Sequence, residues 1–185
     1  HNQALPKEHS LTVIAEDLQS RYQTEVFSFA TSCTSSAQAI GYAYKMLKAG
    51  MYKKALVIGF EMFNRLTFEH FQSMNLLSQA NEYQPFINST GIVLGEGVGF
   101  VALSTEKNES FPCEIFGITT ITDNENLTNS SKTALRQLLT DCLTKTNLKI
   151  ENIQGVKVHG VGGNNDEMEQ SVLQECFPNT ETILV

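Results

Sequence analysis

Apolar residues recur along the chain at two spacings, and the switches between them set out the elements. Leu11, Ile14, Ala15 and Leu18 follow a helical spacing that predicts a helix over Leu11–Tyr22, with Ser10 as its N-cap. Val26-Phe27-Ser28-Phe29-Ala30 is rich in β-branched and aromatic side chains and predicts a buried strand. Residues 37–49 are good helix formers with apolar positions at Ile40, Ala43, Tyr44 and Leu47, and Gly50 marks the stop. The continuous apolar run 55–60 predicts a second strand. Strand, helix and strand then make a βαβ unit in a largely parallel sheet covered on both faces. Phe63, Leu66, Phe68, Phe71, Met74 and Leu77 predict a looser helix over 63–77, a row of the kind that usually packs into a core.

A polar loop at 81–90 contains Pro85-Phe86. Residues 91–103 read as one bent strand or a strand pair punctuated by Gly91, Gly95, Gly97 and Gly99. This Gly-x-Gly-x-Gly pattern is no nucleotide fingerprint, because strand rather than helix follows it. Close approach of two backbones explains the glycines better. Residues 114–121 predict a further strand, and a loop at 123–131 leads to an amphipathic helix over 131–144. Its apolar face is Ala134, Leu135, Leu138, Leu139 and Cys142. Val156-Lys157-Val158 predicts a short strand that delivers His159 before Gly160-Val161-Gly162-Gly163. A helix over Asp166–Cys176 follows, and 182–185 starts another strand. Beginning in a polar segment and ending on an apolar one, the sequence reads as a middle piece.

Composition changes this picture little. The 185 residues can bury a sizeable core, with 41% hydrophobic and 18% charged residues. No apolar run approaches the ~20 residues of a membrane span, and the first residues carry no signal-peptide pattern. A net charge of −7 without a basic stretch argues against nucleic acid as a partner. Cys33, Cys113, Cys142 and Cys176 are too scattered for a zinc or redox motif, and the histidines offer no metal spacing, so a reducing cytoplasm is expected. The Asn-x-Ser/Thr triplets at Asn88, Asn108, Asn126 and Asn129 are what an Asn-rich chain produces by chance.

Two residues carry candidate chemistry. Cys33, in Thr31-Ser32-Cys33-Thr34-Ser35-Ser36, falls at a strand-to-helix elbow where unpaired N–H groups favour an anion. A thiolate there is a nucleophile, while the plainer alternative is a small buried thiol among Ser and Thr caps. His159 ends a strand and precedes a glycine-rich turn that leaves room for substrate. Thiolate and imidazole together suit acyl transfer from a thioester. A papain-like hydrolase would use the same pair but leaves the glycine-rich strand and the βαβ unit unexplained.

The segment from Ala30 to Ile40 resembles the active-site segment of the β-ketoacyl-acyl carrier protein synthases, the condensing enzymes of fatty acid and polyketide synthesis. The similarity continues through 55–61, which ends in Gly-Phe-Glu, then 71–78, Pro85-Phe86 and 91–99. Val156-Lys157-Val158-His159-Gly160, with Asp166 and Glu169, is similar to the family's Asn-x-x-His-Gly motif and the acidic pair after it. The resemblance implies a thiolase-like layered α/β/α/β/α fold, incomplete at both ends. Residues 1–108 would be part of an N-terminal half carrying the Cys33 nucleophile, and 109–185 the start of a C-terminal half carrying His159. Phe71 matches a position lining the acyl pocket. The implied partners are an acyl carrier protein and acyl and malonyl thioesters, with no cofactor or metal. The strand at 55–60 would pair across a twofold axis in a homodimer or ketosynthase heterodimer.

Departures from the family pattern are specific. Its second catalytic histidine, its lysine and its second oxyanion segment match nothing in this sequence. Val161-Gly162-Gly163 stand where the family has Thr-x-Thr, and Ile87, Asn88, Ser89 and Thr90 replace the acidic and basic residues before Gly91. They raise the alternative of a non-catalytic ketosynthase-like partner subunit, a chain-length factor. Such subunits commonly lack the cysteine that is present here.

Overall fold

The computed structural model describes residues 11–80, 83–88, 90–107, 113–124, 130–178 and 182–184. In chain order they form α1 (Leu11–Tyr22), a 3₁₀ turn (Ser32–Thr34), α2 (Ser35–Lys48), β1 (Lys54–Glu61) and α3 (Arg65–Ser73). Then come β2 (Gly97–Ser104), α4 (Lys132–Thr146), a second 3₁₀ turn (Ile150–Asn152), β3 (Gly155–Lys157), α5 (Asp166–Cys176) and β4 (Thr182–Leu184). The described residues divide into two compact units. One holds those up to Gly59 with those from Val98 to 107; the other holds 60–97 and those from 113 onward.

In the first unit α1 has the bounds its periodicity predicts, and the Ser10 cap lies outside the described residues. α2 stops for a local reason. Gly50 takes φ +74°, so its N–H reaches the carbonyl of Leu47 at 3.0 Å and the N–H of Met51 reaches that of Met46 at 3.1 Å. This paired closure satisfies carbonyls the helix end would otherwise leave open, and glycine accepts the left-handed backbone without a Cβ penalty. β1 and β2 form a two-stranded sheet. The N–H of Thr105 donates to the carbonyl of Lys53 at 3.1 Å, and Lys54 pairs with Glu106 at 3.6 Å, so the start of β1 lies beside the end of β2. That arrangement is antiparallel, so β1 lies in this pair rather than in the parallel βαβ unit expected of residues 26–30 and 55–60. α2 approaches β1 at Gly59, where an added Cβ would stand 2.5 Å from Ser36 Oγ.

The strand expected over 26–30 does not form. Phe27 and Phe29 instead place their rings 5.2 and 5.3 Å from the ring of Tyr42 on α2. Strand propensity measures how a side chain suits a pleated, half-buried surface, and a ladder still needs a neighbour to pair with. Residues 114–121, also read as a strand, take no regular structure. Of the glycine-punctuated run, only the later part is strand; Ile92 makes a single parallel bridge to Leu77.

In the second unit capping residues shorten α3 relative to the 63–77 expectation. Asn64 Oδ1 accepts the N–H of Thr67 at 3.1 Å, and Asn75, at φ +54°, closes the far end. Leu76 N–H then donates to Phe71 at 3.1 Å. α4 is delimited the same way, with Ser131 Oγ accepting from Ala134 at 3.1 Å and Asn147 at φ +54°. α4 and α5 pack together around Val158, Leu173 and Phe177, joined by Leu139, Leu143, Phe86, Ile153, Val156 and Cys176. Full burial of such side chains is worth about 1.5–3 kcal/mol each. Polar bonds tie the rim: Arg136 pairs with Glu175, and Lys132 Nζ donates to Ser171 at 3.0 Å. β3 and β4 are parallel, with Val156 opposite Ile183.

Candidate active site

Cys33 occupies the middle of the 3₁₀ turn that runs directly into α2, and it is exposed. The element before it is a loop rather than the expected strand. Hydroxyls hold the turn from both sides. Ser35 Oγ accepts the N–H of Thr31 at 2.9 Å and donates to the carbonyl of Ser32 at 2.7 Å. Thr34 Oγ1 donates to the carbonyl of Thr31 at 2.8 Å. Between them Ser32 has φ +54°, a left-handed backbone that costs a residue with a Cβ about 1–2 kcal/mol. Strain of this kind concentrates at functional sites, where surrounding bonds over-determine it. The thiol therefore sits in a braced turn at the N-terminus of a 14-residue helix, where negative charge is favoured.

His159 follows β3 by two residues and is exposed, flanked by buried Val158 and Gly160. The turn after it is held by carboxylates one helical turn apart at the start of α5. Glu169 Oε1 accepts the N–H of His159 at 2.8 Å, and Oε2 that of Gly160 at 3.1 Å. Asp166 Oδ1 accepts from Val161 at 3.2 Å, and Oδ2 from Gly162 at 3.0 Å and Phe86 at 3.1 Å. Asp166 is only 1% exposed, and bonds to a charged acceptor are roughly twice as strong as neutral ones. From the other side, the Tyr83 hydroxyl donates to the carbonyl of Gly160 and the Gly91 N–H to that of Gly162, each at 2.8 Å.

Two glycines of this turn have no substitute. Gly162 combines φ +77° with an added Cβ 2.7 Å from the Gly91 carbonyl oxygen, and at Gly160, φ +49°, it would meet the Phe86 ring at 2.6 Å. Tyr83, Phe86 and Gly91 are thus fitted against the His159 turn, a role the sequence left unassigned. Pro85-Phe86 was visible as part of a loop and Gly91 as the start of the glycine-punctuated run, but their partners lie some 75 positions away, and no local pattern announces that pairing.

Phe71 sits half-buried near the end of α3, its ring edge-on to His70 at 6.4 Å. A shallow depression lined by Gln72, Asn75, Leu77, Gln79 and Thr90 includes neither it nor His159. Cys33 belongs to the first unit; Phe71 and His159 lie on separate elements of the second. Among the described residues, no group of three or more His, Cys, Asp or Glu is placed to hold a metal ion. No described helix is long and apolar enough to cross a membrane.

Residues 20–109 match the family model of the beta-ketoacyl synthase N-terminal domain. The non-reducing polyketide synthase Preu3 of Preussia isomera is 28% identical over 162 residues, covering 82% of this chain and 6% of that protein. The chain spans 5–7% of the length of the polyketide synthases it matches. Among solved structures, the ketosynthase ApeO in complex with its chain length factor ApeC from Xenorhabdus doucetiae aligns with a TM-score of 0.80 at 23% identity, covering 91% of this chain and 43% of that one. A type II polyketide synthase acyl-carrier protein in complex with its ketosynthase bound to the hexaketide aligns at 0.78 and 16% identity, covering 94% and 47%. At such identity these structures establish the fold, an α/β arrangement of the thiolase-like ketosynthases. Residues 20–109 thus match the beta-ketoacyl synthase N-terminal domain, and the chain shares the fold of the ketosynthases it aligns with.

Proposed function

We propose that this chain supplies the nucleophile and first histidine of a β-ketoacyl synthase that performs decarboxylative Claisen condensation. The observation that carries the reading is Cys33, an exposed thiol in a strained, hydroxyl-braced turn at the start of α2. The Cys33 thiolate attacks the carbonyl of an acyl carrier protein thioester. A new carbon–sulfur bond forms, and the carrier's sulfur leaves and takes up a proton. A malonyl thioester then loses carbon dioxide. The His159 imidazole stabilises the enolate oxygen, and the carbanion attacks the acyl carbonyl, returning Cys33 as thiolate. Phe71 would contact the acyl chain. The polyketide synthase relatives favour polyketide over fatty acid synthesis. We further propose halves meeting near residue 108, a cytoplasmic setting, and a homodimer or ketosynthase heterodimer, to be read by sedimentation.

The second reading, a chain-length-factor-like subunit, draws on Val161-Gly162-Gly163, which lack the hydroxyls the family offers a substrate. One experiment separates the two. The protein as its gene encodes it, with any partner subunit, is incubated with an acyl carrier protein thioester and weighed intact, then given a malonyl thioester. Cys33→Ala should abolish acyl loading. His159→Ala should leave loading largely intact and suppress condensation. Normal condensation by Cys33→Ala would replace the enzymatic reading with the partner-subunit one.

A further inference from the structure

The turn carrying His159 has no regular structure of its own, yet four successive backbone N–H groups, 159 through 162, all end on two side chains. Those side chains, Asp166 and Glu169, are three positions apart on α5, a spacing that puts them on one helix face. Glu169 binds the N–H groups on both sides of the His159 α-carbon, so it fixes the plane from which the imidazole projects. Asp166 binds the next two and adds the N–H of Phe86, fastening the 83–91 loop to the same point. We infer that the Asp166–Glu169 pair is a positioning device that aims the His159 imidazole, with Glu169 setting the backbone of His159 and Asp166 coupling it to the Phe86 loop. The inference rests on the proposed role of His159. Neither carboxylate needs to touch substrate: both oxygens of each are already bonded to backbone amides, three on buried Asp166 and two on half-buried Glu169, which separates this role from general acid–base catalysis.

Glutamine in place of Glu169 keeps one acceptor oxygen but turns an NH₂ group toward the other amide, donor against donor. Hydrogen exchange resolved to single amides, on the protein as its gene encodes it, reads the clasp directly. In Glu169→Gln the amides of His159 and Gly160 should exchange roughly tenfold faster or more while Val161 and Gly162 stay protected. Asp166→Asn should release Val161, Gly162 and Phe86 instead. Under the positioning role, Glu169→Gln loads Cys33 normally and keeps KM for the malonyl thioester, but its kcat for condensation falls about tenfold or more; Glu169→Ala falls further. A purely structural acid would lower melting temperature, loading and condensation together.

Unchanged exchange at His159 and Gly160 overturns the clasp. Released amides with unchanged kcat overturn its positioning role. Should Asp166→Asn fail to fold, Glu169→Gln still decides the matter. A wild-type protein that loads but does not condense overturns the reading of His159 itself, and the exchange rates still show whether the carboxylates hold the turn.

Discussion

Phe86 donates its backbone N–H to the Asp166 carboxylate at 3.1 Å, across eighty positions of chain. Phe86 has φ +63° in a turn closed by Gln84 and Asn88, and Asp166 opens a helix beside Val161 and Gly162, so each local element presents its half of the bond. The bond makes loop and turn a single construction, in which a long-range contact forms only after loop-closure entropy has been met.

Glycine chemistry in that construction is directly testable. Gly162→Ala should destabilise the protein by about 2 kcal/mol or more, combining left-handed strain with a collision against Gly91. Gly95, with nothing within 4 Å of an added Cβ, is the control: Gly95→Ala should stay within about 0.5 kcal/mol. Denaturant midpoints measure both. Equal effects would mean that the close approach at Gly162 carries no weight.

Thiol reactivity tests the Cys33 turn. Cys33 and Cys113 are both exposed, whereas Cys142 and Cys176 are partly covered, so access alone gives the first two equal rates. A helix-terminus interaction of about 0.3–2 kcal/mol corresponds to roughly a twofold to thirtyfold advantage for Cys33. Labelling by a small thiol reagent, followed by peptide mass mapping, should show that order. Indistinguishable rates for the two would remove the helix from the argument.

Asn147 closes α4 in a left-handed conformation that glycine adopts freely. Asn147→Gly should be neutral or slightly stabilising, and Asn147→Ala should cost about 1 kcal/mol. Melting curves of the two variants should therefore separate, with alanine the lower.

Acid titration probes the seam between α4 and α5. The hydrogen bond from Arg136 holds the Glu175 carboxyl below its ordinary value, against an opposing effect of desolvation. A carboxylate depressed in the folded state contributes stability that is present above its unfolded pKa and is lost as pH falls through the folded one. Arg136→Gln should accordingly be less stable than the parent at neutral pH, by a small margin for so exposed a pair, with the gap closing as the solution becomes strongly acidic. A gap that persisted in acid would assign the effect to packing of the Arg136 stem.

Where helices had local signals, the sequence was easy to read. α1 follows from its apolar periodicity, α5 has the bounds read for it, and Gly50 stops α2 where its freedom of backbone predicts. The same reading overextended α3, because Asn64 and Asn75 were not recognised as its caps inside a continuing apolar row. Residues 26–30 and 114–121 misled for a different reason: their composition suits a sheet, but strandhood belongs to a pair of segments and cannot be read from one. At the site, Cys33 and His159 stand out as residue types beside turns. Tyr83, Phe86 and Gly91 do not, since their importance lies in backbone atoms and one hydroxyl that meet the His159 turn only in three dimensions.

The missing side chain at Gly59 has a mechanical consequence. Ser36 stands one helical turn past Cys33, and its hydroxyl fills the space a Cβ at Gly59 would take. The start of α2 therefore lies against the bare backbone of β1, with Ser36 as the point of approach. Alanine at position 59 would therefore have to move the Ser36 hydroxyl, three residues after Cys33, to find room for its methyl group.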